Sequence, residues 1–318
     1  MNNRFSVQTN RLFIVYILLG TSYLVFLVLF SLKVFPGFIM QVLFLIEAVT
    51  KDGITISSLF SNTGFLESLI AGIFTLLLIG IFVKGLYKSI KQYIYSRKYL
   101  NNIEKSSINS NYITINTTLI SGFTAGFIHP QIYISESLKK ILKQDNLKAI
   151  IYHEKSHQKD RDPLRGFIVQ LINNILPIFP YKNILLNLFK TSIELKCDQN
   201  SIRQLGNKTS IIEALYSILK YENSLTREPY LTYFSSMPSR ISVLVGKEKF
   251  NFKSISKLVS TFIVVASLLP VIALSSQFYM CEHIGECLRL FVQDLNSSSV
   301  SSLCNKHPMS TTVSCSVN

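Results

Sequence analysis

The sequence predicts a polytopic α-helical membrane protein carrying a cytoplasmic α+β domain, and three observations predict it. Hydrophobic residues make up 48% of the 318 and charged residues only 16%, against about 25% charged in an ordinary soluble domain. Long stretches of the chain must therefore meet something other than water. Three apolar runs lie toward the two ends, close to the roughly 20 residues that a bilayer core requires. Between the second and the third, strand-like alternation gives way to helical periodicity. Disorder is excluded for most of the length, because disordered chains pair low hydrophobicity with high charge.

The first run, residues 12–32, holds no charge and is flanked by Arg4, Arg11 and Lys33. No small-residue cleavage site follows its core, so it reads as a span and not as a signal peptide. The second, residues 69–83, grows to about 67–87 when Gly85 and Leu86 are included, with the Lys84 ammonium reaching to the interface. The third, residues 258–276, is also uncharged, and its Pro270 is tolerable in a membrane helix. The chain is thus divided into a membrane region (1–87), a central domain (88–257), a third span (258–276) and a tail (277–318).

Basic residues orient this arrangement. The net charge of +14 is concentrated where Lys84, Lys88, Lys91, Arg97 and Lys98 follow the second run and Lys247, Lys249, Lys253 and Lys257 precede the third. The 33–67 loop has only Lys33 and Lys51, and the tail only Arg289 and Lys306. By the positive-inside rule the central domain is cytoplasmic, while the loop and the tail lie outside the cell membrane. The expected partner of this charge is the bilayer, and no nucleic acid is expected, since the clusters border the spans and lack interleaved base-stacking residues. Cys281, Cys287, Cys304 and Cys315 all fall in the tail, where an even set suggests disulfides with three possible connectivities. Cys197 is expected to be a free cytosolic thiol.

In the central domain, residues 88–111 continue the second helix into a polar loop at 106–111. Residues 112–120 alternate as a strand, and a glycine-spaced stretch, 122–127, leads through His129 and Pro130 to a second β-like run at 131–134. Ser135 or Ser137 is placed to cap a short helix ending near Leu142, and Asp145 to cap the next. Arg161 and Pro163 mark the end of that helix. The apolar stretch 167–189, broken by Pro177 and Pro180, reads as two helices in a hairpin, buried in the domain or dipping into the membrane face.

The chemistry lies in His153, Glu154, Lys155, Ser156 and His157, an HExxH pattern. On a helix, positions i and i+4 share a face, which lets both imidazoles reach one zinc ion. Glu154 then stands beside the metal, placed to take a proton from the attacking water. A catalytic zinc needs a third protein ligand and one open position. His129 is one option. Glu194 is the natural one, because a helix over 193–203 carries it and Asp198 four apart on one face, with Asp198 able to fix the tautomer of a ligating histidine. Asp160 and Asp162 read as caps or supporting partners. This ligand set predicts a gluzincin-like zinc peptidase domain.

The string HEKSHQKDRDPL from His153, followed by Pro177, Pro180 and ELKCD from Glu194, resembles the BlaR/MecR family of β-lactam-sensing membrane metallopeptidases. The segment GFIHPQIYIS from Gly126 resembles the strand and turn before their catalytic helix. The HtpX and prenyl-protease family is similar more distantly, through HExxH, a later glutamate and a proline-arginine element matched by Pro238 and Arg240. The resemblance implies zinc held by His153, His157 and Glu194, Glu154 as base, Asp198 in support, and Arg240 as a contact to substrate or transition state. It implies an endopeptidase acting in signalling or regulated proteolysis, with a transcriptional repressor or a membrane protein as substrate. The chain departs from the sensors in that only residues 277–318 follow the third run, so the external penicillin-binding domain is not expected. The rival reading is a catalytically silent membrane signalling or scaffold protein with a retained metal site; an intact Glu154 speaks against it.

Overall fold

A computed structural model describes residues 4–51, 63–176, 182–222 and 237–247, and a few residues between 260 and 268. Helix α1 (Arg4–Lys51) runs for 48 residues, about 72 Å at 1.5 Å per residue. The segment after residue 32, expected as an external loop, is therefore helical to Lys51. Its residues remain apolar and helix-compatible past the bend-prone Pro36, which lies inside the helix. Helix α2 (Thr63–Asn102) carries the second apolar run through the basic stretch as one element. Two of the described helices are long and apolar enough to cross a membrane, over Phe5–Leu43 and Leu66–Asn102.

Two faces of α1 meet different surroundings. Leu12, Tyr16, Leu19 and Tyr23 are buried among residues of the central domain. Farther along, Val28 is 54% and Leu32 70% exposed, as are Ile70 (58%) and Leu77 (56%) on α2. These bare apolar faces are the ones suited to lipid. In the third run, the described residues Ser260, Thr261, Ile263, Val264, Ser267 and Leu268 are helical. The tail and its four cysteines lie outside the described residues.

A four-stranded sheet follows α2, in the order β1-β2-β4-β3. Strand β1 (Lys105–Ile108) pairs antiparallel with β2 (Ile113–Ile115). This corrects the polar loop expected at 106–111: an exposed edge strand needs backbone partners, not apolar alternation. Strand β2 is shorter than the alternation over 112–120 suggested and lies parallel to β4 (Gln131–Ser135), which pairs antiparallel with β3 (Gly122–Ala125). Gly126, at φ +110°, turns the chain from β3 toward β4, and a side chain there would press on the His129 carbonyl.

Ser135 caps the short helix α3 (Glu136–Ile141), its Oγ accepting from the Leu138 amide. Helix α4 (Gln144–Asp160) starts earlier than expected: Lys143 is the cap, without a side-chain bond, and Asp145 stands in the first turn, where its charge still favours the helix dipole. Arg161, in the left-handed conformation at φ 51° and ψ 41°, joins α4 directly to α5 (Asp162–Ile175), with Pro163 in its first turn. Helix α6 (Lys182–Leu205) returns alongside, completing the hairpin read from the prolines. Helices α7 (Thr209–Glu222) and α8 (Met237–Val245) follow.

Two cores result. Leu185, Phe189 and Ile193 of α6 and Val169 and Ile172 of α5 pack on α1. Ile132 and Ile134 of β4, Ala149 and Ile150 of α4, and Ile211, Leu215 and Ile218 of α7 form the other. Gly85 lets α2 approach α5 so closely that a Cβ there would meet the Asn174 carbonyl. Helix α4 lies between these cores.

Candidate metal centre

The i, i+4 spacing on α4 sets His153 and His157 one turn apart, 4% and 8% exposed, with their Nε2 atoms 3.1 Å from each other. One apolar stripe of α6 faces α1 and α5. Its polar stripe faces α4, where Ser201 donates to the Ala149 carbonyl at 2.7 Å and Asn200 to Ser156 at 2.8 Å. That docking brings Glu194 to the histidines, its Oε2 3.4 Å from His153 Nε2 and its Oε1 3.6 Å from His157 Nε2. Donors bound at about 2.0–2.1 Å to a tetrahedral ion lie roughly 3.3 Å apart, so the set matches one ion. Glu194 Oε1 is moreover buried without a hydrogen-bond donor among the described residues, a costly state that a cation would relieve. His153, His157 and Glu194 could together hold a metal ion.

Each imidazole is backed by a carboxylate. Asp198 Oδ1 lies 2.8 Å from His153 Nδ1, and Asp162 Oδ2 lies 3.0 Å from His157 Nδ1. With Nδ1 carrying the proton, both Nε2 lone pairs turn to the centre. Behind Asp198 stands Arg240 of α8, which donates through Nε at 3.0 Å and Nη2 at 2.6 Å and places Nη1 2.7 Å from Glu194 Oε2. Behind Asp162 stands Lys196, 2.9 Å away and equally close to Asp160. The joint at Arg161 makes this possible, since a longer turn would carry Asp162 off the end of α4.

Burial and charge work against each other here. Burial disfavours a charged His153, but Asp198 outweighs it and raises the ring to about 9. His157 is also held well above its ordinary value, with Cys197 and Asp162 overcoming burial. Burial alone would raise the carboxyls. Arg240, aided by the histidines, instead holds Glu194 and Asp198 below the usual carboxylate range, and His157 with Lys196 holds Asp162 at about 2. Cys197 is free and buried, its Sγ 3.4 Å from His157 Nδ1.

Glu154 is 4% exposed and its Oε2 accepts from Thr124 of β3 at 2.9 Å; the same hydroxyl reaches the Glu154 carbonyl at 3.0 Å. His153, Glu154, His157 and Glu194 all line a cavity of about 170 Å³, roofed by β3 and by Phe127 and Phe167. Of the two options for a third ligand, Glu194 converges on the histidines, whereas His129 is exposed in the turn before β4. Arg240, expected to touch substrate, is 1% exposed and is spent on Asp198 and Glu194. Thr124 and Lys196 gave no sequence signal: a threonine in a strand and a lysine on a helix are ordinary until the tertiary fold sets them beside Glu154 and Asp162.

Two histidines one helical turn apart, a glutamate from the next helical hairpin, a second glutamate beside them and two apolar helices packed on the domain define a membrane-associated metallopeptidase. The family model described as BlaR1 peptidase M56 matches residues 60–244, more than half of the chain. The chain belongs to this family. No curated protein matches it.

Proposed function

We propose that the protein is a multi-pass cell-membrane zinc endopeptidase of gluzincin type, with a cytoplasmic peptidase domain that cleaves a cytoplasmic or membrane protein in signalling or regulated proteolysis. The observation that carries this reading is the convergence of His153, His157 and Glu194, with Glu154 on the open side of the same cavity. Zinc suits two imidazoles and a carboxylate, and when bound it supplies Lewis acidity to a peptide carbonyl and makes water more acidic.

The chain's own residues do the rest. Glu154 takes the proton from the attacking water and returns it to the leaving amine. Thr124 holds one oxygen of that carboxylate, leaving Oε1 for the proton. Asp162 is hydrogen-bonded to His157 Nδ1 and Asp198 lies 2.8 Å from His153 Nδ1, so each carboxylate favours the tautomer with the proton on Nδ1. Strand β3 is the edge of its sheet and borders the cavity, so an extended substrate has free main-chain groups there to pair with, near Phe123 to Phe127. The basic clusters at 84–98 and 247–257 support the cytoplasmic placement. A transcriptional repressor or a membrane protein fits as substrate; nucleic acid does not.

The test compares purified protein in lipid nanodiscs with its Glu154→Gln variant. Both should contain about one zinc per chain, and new protein termini should arise in cells only with the unsubstituted protein. Zinc-free protein, or identical termini with both, would remove the reading.

A further inference from the structure

The cavity wall carries one cation that the chemistry above does not use. Among the described residues lining the cavity, Lys190 is the single lysine or arginine. It stands on α6 one turn before Glu194 and so on the same helix face. The other cations near the centre are committed: Lys196 to Asp160 and Asp162, and Arg240 to Asp198 and Glu194. Lys190 has no anionic partner among the described residues. Partial burial without such a partner holds its ammonium below the ordinary lysine range. The same cavity is lined by Gly166, Phe167 and Gln170 of α5 and by Phe127. Phe127 stacks on Tyr93 at 5.3 Å and meets Phe167 at 4.9 Å, giving the cavity an aromatic wall. An unpaired ammonium in such a place is costly unless an anion arrives with the ligand.

We propose that Lys190 is a specificity residue: it binds a carboxylate of the substrate, so that the enzyme selects an aspartate or glutamate side chain close to the scissile bond, next to an apolar side chain seated against Phe127 and Phe167. The inference rests on the peptidase reading for its substrate class. A lysine suits this task because its mobile ammonium meets a carboxylate as a point charge without demanding the planar geometry that arginine imposes. Desolvation by the aromatic walls strengthens the pair relative to one in water. Selectivity follows because a neutral substrate covers the half-buried ammonium and leaves it unpaired.

The experiment separates this from turnover by measuring binding in the Glu154→Gln background. Fluorescent decapeptide pools, identical except for Glu, Gln or Lys fixed at one position, are titrated against nanodisc-embedded Glu154→Gln protein and its Lys190→Met and Lys190→Glu derivatives. At one or two positions the Glu pool should bind about ten-fold more tightly than the Gln pool. Lys190→Met should erase that difference, and Lys190→Glu should turn the preference toward the Lys pool. Equal affinity for Glu and Gln pools at every position, or a Glu preference that survives Lys190→Met, overturns the proposal. Cleavage by the unsubstituted protein but not by Glu154→Gln tests the peptidase reading separately, so either idea can fail alone.

Discussion

Arg240 and Asp198 meet through a two-bond fork, Nε to Oδ2 at 3.0 Å and Nη2 to Oδ1 at 2.6 Å, and the remaining nitrogen of the same guanidinium lies 2.7 Å from Glu194. One planar group thus ties α8 to both carboxylates of α6. Lysine cannot span them. Arg240→Lys should weaken metal binding by about 10–100-fold, as loss of such supporting bonds does, and Arg240→Met should cost about 3–5 kcal/mol by leaving two buried carboxylates uncompensated. Metal competition and thermal unfolding measure the two effects. Unchanged metal affinity with reduced turnover would return Arg240 to the role of a substrate contact.

The ligand and base roles divide cleanly. His153→Ala, His157→Ala and Glu194→Ala should each strip the metal, whereas Glu154→Gln should keep it and lose about 10²–10⁴ in rate. Elemental analysis beside a peptide-cleavage assay reads both. Stoichiometric metal and full activity in Glu194→Ala would remove Glu194 from the ligand set and redirect attention to Asp198.

Acid sensitivity should trace in part to Asp162. Burial alone would raise this carboxyl, yet His157 and Lys196 hold it at about 2 against an ordinary 3.8. A carboxyl depressed on folding contributes stability that is complete above its unfolded pKa and is lost as pH falls through its folded one. The window is about pH 4 to pH 2, and the loss about 2 kcal/mol. The thermal midpoint of Asp162→Asn should fall less steeply over that window than that of the unsubstituted protein. Parallel acid limbs would assign the loss to other carboxylates.

The exposed apolar faces of α1 and α2 should meet lipid. Spin labels at Leu32 and Ile70 should relax with oxygen dissolved in the bilayer, and a label replacing Tyr16, which is fully buried, should respond to neither oxygen nor aqueous nickel. A reporter fused after Lys98 should read cytoplasmic. Strong nickel accessibility at Leu32 would place that part of α1 in water.

The sequence disclosed the site better than the fold around it. HExxH and the Glu194/Asp198 pair obey helical spacing, so local periodicity alone sets each pair on one face. The prolines at 177 and 180 announced that α5 and α6 are separate helices. What stayed illegible depends on distant partners: Lys105–Ile108 is a strand because β2 lies beside it, Thr124 matters because β3 crosses α4, and Arg240 is buried because α8 folds back on α6. The extent of α1 was missed because an apolar run marks where a helix avoids water and not where it ends.

The family match begins at residue 60, downstream of α1, but the molecule has no seam there. Leu12, Tyr16 and Leu19 complete the interior around Leu185, Phe189 and Ile193. Thr9 donates to Ser192 at 3.1 Å, and Tyr16 to the Lys182 carbonyl at 3.2 Å. A cut at the family border would leave the apolar stripe of α6 open to solvent as far as Ile193, the residue next to Glu194. This is not a peptidase on a leash: the first helix is masonry as well as mooring, and the way it sits in its surroundings bears directly on the helix that supplies Glu194.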